Sequence, residues 1–343
     1  MTETTNAPSG LGGIRGARQR STGAETLVRT TFFDEKKRLP IILEPARAGV
    51  DLGAWAESHQ DELADYIHTY GSIYFRGFGI DSPDLFEATA AKLAGESLYG
   101  DYGDLPREVA GEKIFGSTPY PADQAIYFHN ESSHMAHWPM RIFFLCAVNA
   151  ETGGETPVLD CREAYRELDP AIRDKFETLG LRYTRNFAAG IDVPWQQFFG
   201  TESQSEVEEK CREVDTDFEW LKGGDQLRIS QYAEAVKSHP DTGETVFFNQ
   251  VLLHHPAALP SATRSALLEL LSEDDLPRNC YFGDGSVIPD EYIQHIFDVY
   301  ERIMVAKRWS EGDVIMLDNM LCAHARLPFT GARKTLVAMA RII

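Results

Sequence analysis

Residues 125–131 read Ala-Ile-Tyr-Phe-His-Asn-Glu, and residues 312–324 read Gly-Asp-Val-Ile-Met-Leu-Asp-Asn-Met-Leu-Cys-Ala-His. The first stretch has the β-branched and aromatic content of a strand. Side chains two apart on a strand share a face, so His129 and Glu131 are expected to point one way and Asn130 the other. The second stretch predicts a strand that ends at Asp318-Asn319, with His324 on the loop beyond. Closure of a sheet brings remote strands together, which lets His324 join His129 and Glu131.

Similar short strands are expected over 141–148, 156–160, 181–186, 244–249 and 334–342, each bounded by turn formers. Helical spacing appears over 53–68, stopped by Gly71 and followed by a strand over 72–78. Further helices are expected over 82–95, 162–178, 202–213 and 262–272. These helices do not alternate regularly with the strands, as a parallel α/β sheet requires. The expected class is mainly β with flanking helices, around a double-stranded β-helix (a cupin-like jelly roll). Residues 1–25, rich in Thr, Ser, Gly and Ala, are expected to form a disordered arm. With no repeat and no long linker in view, residues 26–343 are expected to form a single domain.

The chain has 343 residues, 53 acidic and 33 basic, for a formal net charge of -20. Such a field repels phosphate backbones and anionic membranes, so neither nucleic acid nor a membrane surface is an expected partner. No apolar run approaches the roughly 20 residues that span a bilayer. The five cysteines are scattered and form no C-x-x-C pair, which argues against a disulfide framework and a zinc knuckle. A cytoplasmic protein acting on a small molecule is the expectation, and a homo-oligomer is compatible with it.

Two imidazoles and one carboxylate can hold one metal on a single face and leave its other positions open, an arrangement suited to non-haem Fe(II) and oxygen chemistry. An H-x-E pair alone is a weak signal, since most histidines are not ligands. His134 and His137 are decoys: with Glu131 they make E-x-x-H-x-x-H, but the zincin pattern H-E-x-x-H is absent. His254-His255 is a poor metal pair, because neighbours on a strand face opposite ways.

Residues 151–157 read Glu-Thr-Gly-Gly-Glu-Thr-Pro, a glycine turn that leads into a strand. After His324 come Arg326, Phe329, Gly331, Arg333 and Arg341. A dicarboxylate that chelates a metal through a 2-oxo-acid end needs a cation at its far end. Arginine suits that role, because its planar fork pairs with a carboxylate in two hydrogen bonds.

Taken in order, these pieces resemble the taurine dioxygenase-like (TauD/TfdA) family of Fe(II)/2-oxoglutarate-dependent oxygenases, over roughly residues 70–341. The Gly-Gly-Glu-Thr turn with Thr156, Asp318-Asn319, His324-Ala325-Arg326 and Phe329-x-Gly331-x-Arg333 carry the likeness. His129-Asn130-Glu131-x-x-His134, Trp138-Pro139 and Asn279-x-Tyr281-x-Gly283-Asp284-Gly285 are most similar to the syringomycin-biosynthesis-type branch. The resemblance implies Fe(II) bound by His129, Glu131 and His324, with O2 and 2-oxoglutarate as co-substrates. It implies that Thr156 and an arginine hold 2-oxoglutarate. Many relatives carry that arginine about fourteen residues beyond the distal histidine, where this chain has Ala338. Arg333 is the expected replacement, with Arg326 and Arg341 behind it.

The implied activity is hydroxylation of an unactivated C–H bond, on a free or carrier-tethered amino acid, in secondary metabolism such as antibiotic biosynthesis. Halogenating relatives replace the carboxylate ligand with a small residue, so Glu131 favours hydroxylation, with desaturation or cyclisation as variants. A zinc hydrolase built on His129–His137 and a non-catalytic jelly-roll binding protein are the rival readings. Arg185-Asn186 is a candidate substrate lining, although Arg185 in a surface pair and Trp195 as a loop anchor is the favoured alternative. Residues 187–201 are a candidate covering loop.

Overall fold

A seven-stranded sheet forms the backbone of the molecule, in the order Val28–Phe32, Ile41–Pro45, Ser72–Phe75, Val314–Asp318, Pro139–Val148, Lys334–Ile342 and Phe115–Gly116. In this computed structural model the structure describes residues 27–100, 110–117, 120–187 and 192–343. The expected arm at 1–25 lies outside them, as does part of the 187–201 stretch. Pairing in the large sheet is antiparallel except between Ile41–Pro45 and Ser72–Phe75.

The long strand Pro139–Val148 is buried from Pro139 to Cys146, and apolar there but for Arg141, because both of its faces are covered. Phe143 and Leu145 pack with Trp55, Leu63, Ile67 and Phe86 from the flanking helices. Ile142 and Phe144 face inward, toward Val158 and Cys322 of a second sheet. That second sheet has the order Ile126–His129, Cys322–Arg326, Val158–Asp160. Two sheets packed over one apolar layer, with helices outside, match the expected jelly roll. A four-stranded antiparallel sheet (Asp217–Leu221, Gln226–Ala233, Leu181–Phe187, Arg278–Phe282) and the hairpin Val236–Ser238/Thr245–Phe247 extend it.

Two expected helices are each divided. The 53–68 stretch becomes Leu52–Ser58 and Gln60–Tyr70, broken at His59, whose Nδ1 donates to the Trp55 carbonyl at 2.7 Å while its ring stacks on Trp55. The 162–178 stretch becomes Cys161–Glu167 and Pro170–Leu179. There Asp169 caps the second helix through the Ala171 N–H, and Pro170 occupies its first turn, where a missing N–H does no harm. The helix Asp290–Ile303, with Ile293, Ile296, Val299, Tyr300 and Ile303 on its buried stripe, has no counterpart in the expectations from sequence. Among the described residues no helix is long and apolar enough to cross a membrane. All five cysteines are free and buried, as expected of core residues.

Candidate metal and co-substrate site

His129 ends the strand Ile126–His129 and lies directly opposite His324 in the antiparallel pairing with Cys322–Arg326. The two imidazole centroids are 4.4 Å apart. His324 was expected on a loop; it sits instead in the central strand of the small sheet, paired with Val158 on its other side. That position buries it to 5% exposure, with the Phe144 ring 5.0 Å away. Between the pairs His324/His129 and Arg326/Ile126 the register shifts, so the Ile126–His129 strand carries one residue more than its partner. Such bulges re-aim side chains near sites. Here the Tyr127 carbonyl accepts from His129 Nδ1 at 2.8 Å. A proton on Nδ1 puts the ring's lone pair on Nε2, the tautomer a metal ligand needs.

Glu131 was expected on the same strand face as His129. The strand ends first, and Glu131 lies in a turn whose next residue, Ser132, has φ 55°. Asn319 does what the strand does not. Its Oδ1 accepts from the Glu131 N–H at 2.8 Å, and its Nδ2 donates to the carbonyls of Glu131 (2.8 Å) and Pro139 (2.9 Å). Asn130 points away into the core, as expected, and donates to the Asn319 carbonyl at 2.6 Å and to Cys161 Sγ at 3.3 Å. The result is that ligand atoms of His129, Glu131 and His324 lie within 4.8 Å of one another. Two neutral-capable imidazoles and a carboxylate at that spacing fit a divalent first-row metal. Among the described residues no other trio of His, Cys, Asp or Glu is gathered this way.

The decoys go elsewhere. His137 is exposed, with Nδ1 3.3 Å from the Ile343 carbonyl. The His134 ring packs against Tyr183 and His254 at 5.6 and 5.4 Å. His255 turns into the core toward the Ile288 carbonyl, and burial pulls its pKa down to about 4.

The glycine turn also forms. Gly153 and Gly154 have φ of 66° and 73°, and a Cβ on Gly153 would stand 2.1 Å from the Pro328 carbonyl oxygen. No other residue allows Thr152–Gly153 to pair this closely with Phe329–Thr330. Thr156, buried at 8% exposure, follows two residues before the strand Val158–Asp160. Arg333 reaches it: Nη2 is 3.5 Å from Thr156 Oγ1, and Nε donates to the Gly154 carbonyl at 3.0 Å. Burial, then the charge of Arg326, pulls the Arg333 pKa down to about 10, so the guanidinium is charged at neutral pH. Its hydrogen-bond partners are neutral, which leaves a half-buried cation suited to an anion.

Arg326 is spent differently. It is 8% exposed and donates to the carbonyls of Tyr120 (3.1 Å), Pro121 (2.7 Å) and Gln124. Both guanidiniums lie over the Phe329 ring, at 5.2 Å for Arg326 and 5.6 Å for Arg333. Arg341 forms a two-pronged ion pair with Asp241. Ala338 faces the helix-packed side of the large sheet with Phe143 and Leu145. Arg185 pairs with Asp192 at 2.8 Å between the rings of Phe187 and Phe198, and Trp195 is buried on Trp220. Asn186 is committed to the carbonyls of Asp274 and Leu276. Sequence alone offers Asn319 as an orienting partner of the ligand imidazoles, with a plain turn residue as the favoured alternative; it clamps Glu131 instead, and the Tyr127 carbonyl escapes that reading. The Asp-Asn pair before the distal histidine was the one available signal.

A sequence profile described as "Taurine catabolism dioxygenase TauD, TfdA family" matches residues 37–340. The dapdiamide synthesis protein DdaC of Enterobacter agglomerans is 37% identical over 277 residues, covering 81% of this chain and 84% of that protein. A clavaminate synthase-like protein of Arabidopsis thaliana is 25% identical over 92% of this chain and 98% of its own. Among solved structures, PvcB, described as an Fe, alpha-ketoglutarate dependent oxygenase from an isonitrile synthetic pathway, superposes with a TM-score of 0.53 at 14% identity over 94% of each chain. AAD-2 in complex with Mn(II) and N-oxalylglycine gives a TM-score of 0.52 at 15% identity, over 92% of this chain and 97% of that one. These two share the fold.

Proposed function

The chain belongs to the TauD, TfdA family and is an Fe(II)- and 2-oxoglutarate-dependent dioxygenase; we propose that it hydroxylates an unactivated C–H bond of a free or carrier-tethered amino acid. His129, Glu131 and His324 are the metal ligands of this reading, and Thr156 and Arg333 hold the distal carboxylate of 2-oxoglutarate. The observation that carries it is the convergence of two imidazoles and a carboxylate within 4.8 Å. When bound, iron with 2-oxoglutarate and O2 supplies the oxidising power: the oxo-acid leaves as succinate and CO2, and one oxygen atom enters the substrate C–H bond.

The chain's own groups orient and protect. The Tyr127 carbonyl fixes the His129 tautomer at 2.8 Å. Phe144 covers His324 and excludes water from that side. Arg333, half-buried over the Phe329 ring, offers N–H donors to a carboxylate, and Thr156 adds a hydroxyl. The carboxylate at position 131 favours hydroxylation over halogenation. The 37% identity to a dapdiamide synthesis protein supports a place in secondary metabolism. Arg185, tied to Asp192, adds nothing to substrate recognition in this reading.

Anaerobically purified protein supplied with Fe(II), ascorbate, O2 and 2-oxoglutarate is expected to release succinate. A panel of free and carrier-tethered amino acids is then expected to yield a product heavier by one oxygen. Failure of any succinate to appear under these conditions removes the reading.

A further inference from the structure

Behind the metal centre lies a buried polar group that hydroxylation chemistry does not use. Asp318 is fully buried (0% exposed), with Arg141 at 7% and His239 at 1%. Asp318 Oδ2 accepts from Arg141 Nη1 and from His239 Nε2, the latter at 3.1 Å. Its Oδ1 accepts from the N–H groups of Met320 and Leu321, both at 3.0 Å. The carboxylate therefore ties together the turn 318–321, the strand Pro139–Val148 and the tip of the hairpin that carries His239. His239 Nδ1 accepts from the Asp241 and Thr242 N–H groups at 3.3 and 3.2 Å, which makes Nε2 the protonated, donating nitrogen. The hairpin tip is itself held from outside by Arg341 on Asp241 (2.7 Å) and by Arg162 on Glu244 (2.8 Å).

Asn319, the residue that clamps both backbone groups of Glu131, stands at the start of this turn. Its own backbone is fixed by the Met140 carbonyl at 2.9 Å. Glu131 sits beyond the end of its strand, so no sheet ladder holds its backbone. We infer that Asp318, Arg141 and His239 are positioning residues for Glu131: they fix the turn that sets Asn319, which in turn sets the carboxylate ligand. This rests on Glu131 being a metal ligand. Partners at one remove from a metal typically change its affinity 10- to 100-fold when lost.

The same strand provides its own control. Asp313, just before Val314–Asp318, is equally buried (1% exposed) and accepts from Arg76, Tyr74 and the Ser310 N–H, but none of its partners touches the ligand loop. The test is Mn(II) affinity, read without turnover from the free-ion EPR signal during titration of the full chain, beside thermal unfolding. Asp318→Asn is expected to weaken Mn(II) binding about 10-fold or more, whereas Asp313→Asn leaves it within about two-fold although both lose thermal stability. Wild-type affinity in Asp318→Asn, or equal weakening in both, overturns the inference. Should Asp318→Asn not fold, His239→Phe removes the donor to Asp318 together with the acceptor for the Asp241 and Thr242 N–H groups and is expected to weaken Mn(II), with His239→Gln restoring most of it. Unchanged affinity in His239→Phe also overturns the inference. Glu131→Ala is run alongside: if it binds Mn(II) as the wild type does, the metal-centre reading itself has failed, whatever the other variants show.

Discussion

The two ends of the site are held by opposite means. At the histidine end strand pairing and hydrogen bonds do the holding: His129 faces His324 across a ladder, Tyr127 fixes a tautomer, and Asn319 clamps Glu131. At the arginine end a buried and a half-buried cation, Arg326 and Arg333, share one phenyl ring and bond neutral oxygens. The first end takes its shape from the chain's own bonds. The second carries an electrostatic deficit that a dianion would remove. The difference teaches that metal geometry can be built by hydrogen bonds alone, whereas an anion pocket must store charge.

Four variants break or sharpen this contrast. Glu131→Ala should abolish succinate release and weaken Mn(II) binding the most; undiminished release would refute its ligand role. Arg333→Met should raise the KM for 2-oxoglutarate on the order of 10- to 150-fold, the worth of a charge-assisted hydrogen bond, with Mn(II) affinity little changed. Thr156→Val removes one neutral hydroxyl and should raise that KM roughly 2- to 12-fold. Arg326→Met strips donors from the carbonyls of residues 120–124 and should lower stability by about 1–3 kcal/mol. Calorimetry would read that loss as a fall of a few degrees in Tm, with a smaller change in KM than Arg333→Met gives. If Arg326→Met raised the KM more than Arg333→Met, the two arginines would exchange roles.

Much of this was legible in the sequence, and the gaps have physical causes. The jelly roll followed from short apolar strands, and the three ligand candidates from an H-x-E and a distal histidine. Their convergence needed the fold, because antiparallel pairing of remote strands leaves no local mark. Glu131 departs from strand geometry because alternation stops at the strand's end, just before Ser132 turns left-handed. His324 reads as a loop residue in sequence because Asn319 signals a turn, and a three-residue break before Cys322 is too short to announce a new strand. Between Arg333 and Arg341 the difference is the partner, neutral oxygens for the first and the Asp241 carboxylate for the second, and partners brought by the fold are not written in spacing. The Asp290–Ile303 helix differs again: Ile293, Ile296, Val299, Tyr300 and Ile303 do write its stripe in the sequence at helical spacing.

The contact between Asn130 and Cys161 has a last consequence. Centres that activate oxygen leak peroxide when their cycles misfire, and thiolates, not thiols, are what peroxide attacks. Cys161 lies one side chain away from the ligand turn, yet burial pushes its pKa up to about 12. At neutral pH it persists as an unreactive S–H, so the enzyme carries sulfur close to its own oxidant without offering a target. Slow alkylation of Cys161 in the folded chain, against rapid alkylation after denaturation, is the expected signature of that self-protection.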